Sequence, residues 1–328
     1  MAGRAETGRA TRRATHGSKN SRTRERGFAL VVVLLVLALV AVAGGEFAYS
    51  MRLEAAAVRA YKNGIIGNHL AEAALAQAVR EIVSDAAYVV EEADGLLTFC
   101  TADRAPLPRL KREKVELTGG QFSYRITDEE ARLNVNTSAP DRIDRLLQTL
   151  GLEKDERDTI SDSLQDWRDP NDEHRVRGAE SEDYYLKLPV PYRARNANLE
   201  SITELLQIKG VTPAIYNGTK DTPGLAALVS VRSSGQVNIN TASVQVLSAL
   251  GLSTAEITQI LQSRRNTPYN QVPGQFGARN MSVATKTFRI EAEAIVDERV
   301  VARLTAIVQK KLEGDPPTVP VLEWSGLQ

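Results

Sequence analysis

The apolar stretch from Phe28 to Met51 constrains the fold more than any other part of the chain. No polar side chain occurs between Phe28 and Ala43, and apart from Glu46 the apolar character continues to the end of the stretch. A helix needs about 20 apolar residues to cross the hydrocarbon core of a bilayer. Because lipid cannot satisfy free backbone N–H and C=O groups, this stretch is predicted to form a membrane-spanning helix.

Two interpretations of this helix are open from the residues alone. A secretory signal peptide has an apolar core of about 7–15 residues and a small-x-small cleavage site, and Ala41-Val42-Ala43 has that form. A retained helix is favoured because good helix formers continue from Arg52 to Tyr61. No proline occurs before Pro106, so the helix is predicted to continue to about Asp85.

Positive charge is concentrated before the helix. Residues 1–27 contain eight Lys or Arg and two Glu, whereas the whole chain has 41 basic and 41 acidic residues. Positive charge beside a membrane helix keeps that end in the cytoplasm, so the rest of the chain is predicted to lie on the other side. The segment before the helix lacks periodicity and is predicted to be a disordered leader.

The rest of the composition excludes several kinds of site. A single cysteine, Cys100, excludes an intrachain disulfide and is predicted to be a buried, inert thiol. The three histidines are too scattered for a histidine-rich metal site. Because no nucleophile–base pairing, phosphate loop or zinc spacing occurs, we predict that the protein is not an enzyme.

Hydrophobic periodicity predicts an α+β fold. Apolar residues alternate with polar ones over 122–127 and again over 288–294, as in half-buried strands. Two further strands, 301–308 and 319–324, complete a meander. Between the predicted strands, the pattern of residues 138–234 predicts helices and loops. We therefore predict a long N-terminal helix packed on an antiparallel sheet, with a large all-α domain inserted.

A five-residue motif occurs twice in the chain, once on each side of the helical part, and we call each copy an echo. Leu133-Asn-Val-Asn-Thr137 recurs as Val237-Asn-Ile-Asn-Thr241, and each copy precedes a helical pattern, 141–150 and 243–250. The asparagines are predicted to leave the sheet into a turn, with the threonine of each echo capping the following helix.

These patterns divide the chain into six predicted segments. They are the basic leader (1–27), the transmembrane and spine helix (28–85), the first part of the head (86–137), the inserted helical domain (138–234), the second part of the head (235–312) and a C-terminal tail (313–328).

The N-terminus resembles that of type IV pilin-like proteins. In that superfamily a basic leader ends in glycine and the first mature residue is often phenylalanine, as in Arg26-Gly27-Phe28 here. The resemblance implies that a prepilin peptidase cleaves between Gly27 and Phe28 on the cytoplasmic face of the membrane.

A more specific resemblance follows from the order of the later motifs. The N-x-N-T echoes flank Asp166-Trp-Arg-Asp-Pro-Asn-Asp172, then Gly178-Ala-Glu180, Asp183-Tyr-Tyr185 and Lys209-Gly-Val211. This order resembles the K proteins of the type II (general) secretion pathway, which are minor pseudopilins. The resemblance covers Gly27 to about Leu312, and the leader here is longer than is usual for the family.

This resemblance carries several expectations about function. It implies a pilin-like fold split by a helical insert, anchored in the inner membrane with its globular part in the periplasm. The partners would be minor pseudopilins I and J in a tip complex, minor pseudopilin H and the major pseudopilin G. The expected role is to initiate pseudopilus assembly and so support export of folded proteins across the outer membrane.

Seven carboxylates within residues 166–183 mark the candidate binding site. Calcium takes 6–8 oxygen ligands and tolerates irregular loops. The alternative is a solvated loop whose negative charge is balanced by Arg168, Arg175 and Arg177. The family resemblance implies calcium binding, and the residues that match the family pattern best are Asp166, Asp169, Asp172, Glu180 and Asp183.

Three other features bear on function. Leu205–Val211 resembles a helix-hairpin-helix, but residues 138–234 hold 13 basic and 17 acidic residues, which disfavours nucleic acid. Tyr184, Tyr185 and Tyr192 are expected to pack between loop and helices. The alternatives left open are a signal-anchored periplasmic binding protein and a DNA-binding minor pilin of an uptake system.

Val32 suggests a place in the assembly. Counted from Phe28, it is the fifth mature residue, where most pilin-like subunits carry a glutamate that pairs with a neighbour's terminal amine. A carboxylate within a membrane helix costs about 2.5–3.5 kcal/mol unless it is paired. A subunit with nothing above it would not need that pairing, so we predict a tip position.

Overall fold

The structure, a computed structural model, describes residues 21–84, 86–92, 95–313 and 317–326, with side chains from residue 28 onward. Residues 1–20 of the predicted leader, and Asp85 at the predicted end of the spine helix, lie outside these ranges. The leader was predicted to be disordered, but residues 21–27 are helical and continue directly into the apolar stretch. The chain divides into two units, one ending at Lys62 and one beginning at Asn63.

The described residues contain seven α-helices, eleven strands and four short 3-10 helices. The α-helices are α1 (Ser21–Ile82), α2 (Pro140–Thr149), α3 (Lys154–Arg168), α4 (Pro213–Asn217), α5 (Leu225–Leu228), α6 (Val244–Ala249) and α7 (Thr254–Asn266). The strands are β1 (Tyr88–Glu91), β2 (Leu97–Cys100), β3 (Val115–Leu117), β4 (Gly120–Asp128), β5 (Leu133–Asn134), β6 (Val229–Ser230), β7 (Val237–Asn238), β8 (Met281–Ser282), β9 (Thr287–Val296), β10 (Arg299–Gln309) and β11 (Val321–Ser325). The 3-10 helices are Glu129–Ala131, Tyr185–Lys187, Ile202–Gln207 and Gly274–Arg279.

Helix α1 contains the predicted apolar stretch. From Phe28 onward it is, within the described residues, the one helix long and apolar enough to cross a membrane. Every side chain from Phe28 to Lys62 is exposed within the chain. Exposed apolar side chains over this length are expected of a segment that lies in lipid.

The head is built on a five-stranded antiparallel sheet in the order β11-β10-β9-β4-β3. The predicted alternation in β4 is confirmed, because Phe122, Tyr124 and Ile126 are buried. They share a core with Leu70 and Ala74 of α1 and with the apolar face of β9. The predicted meander of three strands is also confirmed, since β9, β10 and β11 are neighbours in sequence and in the sheet.

The second half of α1 is fixed to the head by polar and steric contacts. Arg112 Nε donates to Glu81 Oε2 at 3.1 Å, and the side chains of both residues are 4% exposed. The Tyr124 hydroxyl also donates to Glu81. At Gly67, a Cβ atom would lie 2.8 Å from a methyl group of Val301, so glycine lets the helix approach the sheet.

A second hydrophobic core belongs to the helices. Its buried residues run from Leu133 to Met281 and include Trp167 of α3 and Leu247 of α6. We call residues 133–283 the helical body. It extends farther than the predicted insert of 138–234, because the second echo and the two helices after it pack against the first set. A short helix cannot bury its apolar face by itself. The helices after the first echo and those after the second therefore cover one another's apolar faces.

The internal echo corresponds to a structural repeat. Each copy forms a two-residue strand that pairs in parallel, β5 with β6 and β7 with β8. The second asparagine of each copy holds a distant backbone amide in the same manner. Asn136 Nδ2 donates to the Leu199 carbonyl and Asn240 Nδ2 to that of Tyr269, both at 2.9 Å, and each asparagine Oδ1 accepts the N–H of the same residue.

Arginines near the ends of α3 and α7 complete the repeat. Arg168 donates to the Ser138 carbonyl at 3.1 Å, and Arg264 to the Ala242 carbonyl at 2.8 Å. The prediction that the threonine of each echo caps the next helix is wrong. The N-caps are Ala139, which makes no side-chain cap, and Ser243, whose hydroxyl accepts from the Val246 amide. The chain needs two more residues to turn before each helix begins.

Candidate functional site

The acidic loop begins where α3 ends, at Asp169. The helix stops there because Pro170 follows, and a residue before proline is disfavoured in helical conformation. Asp169 is extended accordingly, with ψ of 156°. The chain then returns to the helix at Gly178, so carboxylates from the last turn of α3 face carboxylates from the returning segment.

Asp166 organises the loop from beneath. Its side chain is fully buried, and Oδ2 accepts the backbone N–H groups of Arg175 at 3.0 Å and Ala179 at 2.9 Å. Gly178 makes this approach possible, since a Cβ there would lie 1.8 Å from Asp166 Oδ2. A buried carboxylate that accepts two backbone donors fixes the path of the loop.

Arg175 joins two of the predicted site residues. Its Nη1 donates to Asp166 Oδ1 and to Asp169 Oδ2, both at 2.7 Å. The hydrogen bond to Asp169, and to a smaller extent that to Asp166, raises the pKa of the Arg175 guanidinium above its ordinary value. The guanidinium therefore supplies the positive charge that the two carboxylates require when they lie this close together.

Glu180 lies beside this pair without a partner of its own. The residue is 2% exposed, and neither carboxylate oxygen has a hydrogen-bond partner in the structure. Burial, with a smaller contribution from the charges of Asp166, Asp169 and Asp172, raises the pKa of Glu180 to about 7. An unpartnered buried carboxyl is costly, so this position is suited to a ligand that supplies positive charge.

The remaining two predicted residues lie at the rim of the loop. Asp172 Oδ1 accepts from Asn196 Nδ2 at 2.8 Å. Asp183 Oδ1 accepts the Glu180 amide at 3.0 Å, and its other oxygen lies 3.9 Å from His174 Nε2. Across the residues that the structure describes, no group of three or more His, Cys, Asp or Glu is arranged to hold a metal ion.

The donor set nevertheless suits a calcium ion. Calcium prefers carboxylate and carbonyl oxygens, and Glu180 offers two buried oxygens with unused lone pairs. Asp169 is only partly buried, with 19% of its side chain exposed, so its carboxylate is accessible from solvent. Asp166 has already used most of its acceptor capacity on the loop backbone and Arg175.

An aromatic cluster supports the loop from the helical side. Trp167 packs edge-on against Tyr185 at 5.2 Å and Tyr192 at 6.2 Å between ring centroids, and Tyr184 packs edge-on against Tyr185. The prediction that these tyrosines pack between loop and helices is confirmed. The cluster holds the end of α3, and therefore Asp166, in place.

A second buried acidic cluster, which the sequence did not indicate as a site, lies where β4 leaves the sheet. Asp128 Oδ2 accepts from Thr241 and Thr285 at 2.6 Å and from Asn238 at 2.9 Å. These contacts connect the head strand to the second echo of the helical body. The three consecutive acidic residues at 128–130, at the end of a strand, were the feature of the sequence that could have pointed to this cluster. The sequence does not show which residues surround them.

The predicted processing residues lie on α1. The backbone at Gly27 is helical, and Phe28 and Val32 are 72% and 42% exposed within the chain. Cys100 is buried and its pKa is raised by burial, in agreement with the predicted inert thiol.

Comparison with known proteins shows which proteins the chain is similar to. The family model described as type II secretion system protein K matches residues 121–222. The type II secretion system protein K of Pseudomonas aeruginosa is 28% identical over 303 residues, 84% of this chain and 86% of that protein. That of Pectobacterium carotovorum is 31% identical over 159 residues, 43% of this chain and 47% of that protein.

A solved structure is also similar. In the crystal structure of the GspK-GspI-GspJ complex from enterotoxigenic Escherichia coli, one chain matches with a TM-score of 0.49 and 21% identity, over 66% of this chain and 83% of that chain.

The fold and the apolar helix define a class, that of single-pass, membrane-anchored proteins with an α+β head. Within that class the chain is similar to the protein K of type II secretion systems.

Proposed function

We propose that the protein is a minor pseudopilin at the tip of the type II secretion pseudopilus, where it helps to start assembly. The observation that carries this proposal is the match to protein K of P. aeruginosa over 84% of the chain. The match covers 86% of that protein as well, so it is not confined to one segment of either chain. The role is structural and non-enzymatic, and it serves the export of folded proteins across the outer membrane.

The proposed partners are minor pseudopilins I and J, with minor pseudopilin H and the major pseudopilin G below them. The solved complex that contains GspK names GspI and GspJ as its other chains. For this protein the partnership is supported by its similarity to the type II secretion system protein K of P. aeruginosa. The protein is inserted in the inner membrane with its N-terminus in the cytoplasm and its globular part in the periplasm, and prepilin peptidase removes the leader.

Co-purification tests this assignment. The full chain is expressed with the I and J proteins of the same organism, extracted in mild detergent and purified through a tag on its C-terminus. We expect the three proteins to elute together in size-exclusion chromatography, and an unrelated single-pass protein with the same tag to elute without them. Elution of the tagged chain without I and J would contradict the assignment.

We also propose that the acidic loop binds calcium. Glu180 and Asp169 would hold the ion, with Asp166, Asp172 and Asp183 completing or supporting the set. When bound, the ion would neutralise carboxylates that otherwise repel one another. The chain's own contribution is to bring these carboxylates together by ending α3 at Pro170 and returning at Gly178.

A further inference from the structure

Arg175 occupies the centre of the acidic loop. Its Nη1 lies 2.7 Å from Asp166 Oδ1 and 2.7 Å from Asp169 Oδ2, so one nitrogen bridges two carboxylates that are 0% and 19% exposed. The arginine side chain itself is 39% exposed. One end of the side chain is therefore held by buried charge while the remainder reaches solvent.

The two neighbouring arginines do not share this role. Arg168 donates to backbone carbonyls of the first echo, one of them Ser138. Arg177 pairs with Asp155, whose side chain is 78% exposed. Within the described part of the chain, Asp166 and Asp169 thus form their ion pairs with Arg175. Two carboxylates therefore share one guanidinium.

We propose that Arg175 is a built-in counter-cation that competes with a divalent cation for Asp166 and Asp169. This inference rests on the proposed calcium binding by the loop. The lone pairs that now accept from the guanidinium are not free for a metal ion. A cation that uses these oxygens must first displace the guanidinium, and its apparent affinity is reduced by the fraction of molecules in which Arg175 is bound.

The surroundings of Arg175 allow this displacement. The residues on both sides, His174 and Val176, are exposed, and Val176 is 97% exposed. The guanidinium can therefore move into water without unpacking the core. Asp166 would remain in place meanwhile, because the backbone amides of Arg175 and Ala179 still hold its Oδ2. The loop can therefore keep its conformation in two states, one in which Arg175 is bound to the two carboxylates and one in which a metal ion is bound to them.

The competition has two measurable consequences. Without calcium, Arg175 stabilises the loop, so its removal lowers the melting temperature. With calcium, the removal of a positive charge next to the site and of a competitor for its ligands tightens binding. A merely structural arginine would show the first effect but not the second.

Calcium titration of the purified full chain in detergent micelles tests the proposal. Wild type, Arg175→Met and the control Arg177→Met are compared by isothermal titration calorimetry with calcium chloride. Methionine keeps the length of the stem and removes the charge. We expect calcium Kd to fall about tenfold in Arg175→Met. We expect Arg177→Met to stay within about twofold of wild type, because Arg177 pairs at the surface.

A second variant covers the case in which Arg175→Met does not fold without calcium. Arg175→Lys keeps the charge but offers a compact ammonium in place of the planar guanidinium. Its calcium Kd is expected to be lower than that of wild type but higher than that of a charge-free variant. Unchanged or weaker calcium binding in the folded Arg175 variants would overturn the counter-cation role and leave calcium binding intact. The absence of binding in wild type and variants alike would overturn calcium binding itself.

Discussion

At the scale of single residues, Glu130 gives the clearest dependence on pH. The residue is 1% exposed, and its Oε2 accepts the Thr287 amide at 3.0 Å while Oε1 has no partner. Burial, and then the charge of Asp128, raise the pKa of Glu130 to about 8. In the unfolded chain the pKa of a glutamate is about 4.3, so between these values the folded state holds a proton that the unfolded state has lost.

The folded state therefore loses stability as pH rises from about 5 to 8, by at most about 1.4 kcal/mol per pH unit for one proton. We expect the melting temperature, measured in chelator, to fall across this range in wild type and to fall less steeply in Glu130→Gln. The exposed Glu113→Gln serves as the control and should keep the wild-type slope. Parallel curves for wild type and Glu130→Gln would show that Glu130 does not titrate there.

Gly27 is expected to determine where the chain is processed. Glycine has no Cβ to obstruct a protease at the boundary between the basic leader and the apolar helix. We expect the mature chain to begin at Phe28, and Gly27→Leu to leave the precursor uncleaved. Mass spectrometry of the purified protein measures both. A mature N-terminus near Gly44 would instead indicate an ordinary signal peptide, and the pilin-like interpretation would fail.

At the scale of elements, the proposed calcium binding by the loop after α3 would couple ligand binding to stability. A ligand that binds only the native state stabilises it by about 2.7 kcal/mol at 100 times Kd, and so raises the melting temperature. We expect calcium to raise the melting temperature of the full chain and chelator to reverse the change. Asp169→Ala should reduce the increase, whereas Asp155→Ala, at an exposed carboxylate on α3, should preserve it. A melting curve that does not change up to millimolar calcium would leave the loop a solvated charge cluster.

At the scale of the whole molecule, the position in the pseudopilus follows from Val32 and the helical body. The chain has no carboxylate between Phe28 and Ala43, so it cannot make the pairing that most pilin-like subunits make with the subunit above. The helical body adds about 150 residues to the head, and we expect this bulk to obstruct a further subunit. We therefore predict a cap at the tip, and the alternative is that Val32 reflects drift in a minor subunit.

A label on the helical body, viewed by electron microscopy of assembled pseudopili, measures this position. The label should lie at one end of each filament. A major pseudopilin labelled in the same way is the control and should mark the whole length. Label from this protein distributed along the filament would exclude the cap.

The sequence by itself determined the parts that depend on local pattern. The uninterrupted apolar run required helix α1, because lipid leaves no alternative for the backbone. Alternation of apolar and polar residues located β4 and the three strands of the meander, because side chains of a strand point to opposite faces in turn. The echo of asparagines indicated two related turns, and the crowded carboxylates indicated one candidate site.

Only the tertiary structure decided how distant segments meet. It placed the second echo in the same core as the first, since the short helices must cover one another's apolar faces. It surrounded Asp128 with donors from residues more than 100 positions away, such as Thr241. It also placed Arg175 between Asp166 and Asp169. From the sequence, Arg168, Arg175 and Arg177 were equally good candidates to balance these carboxylates. Such pairings depend on where the chain returns in space, and neither periodicity nor spacing along the chain contains that information.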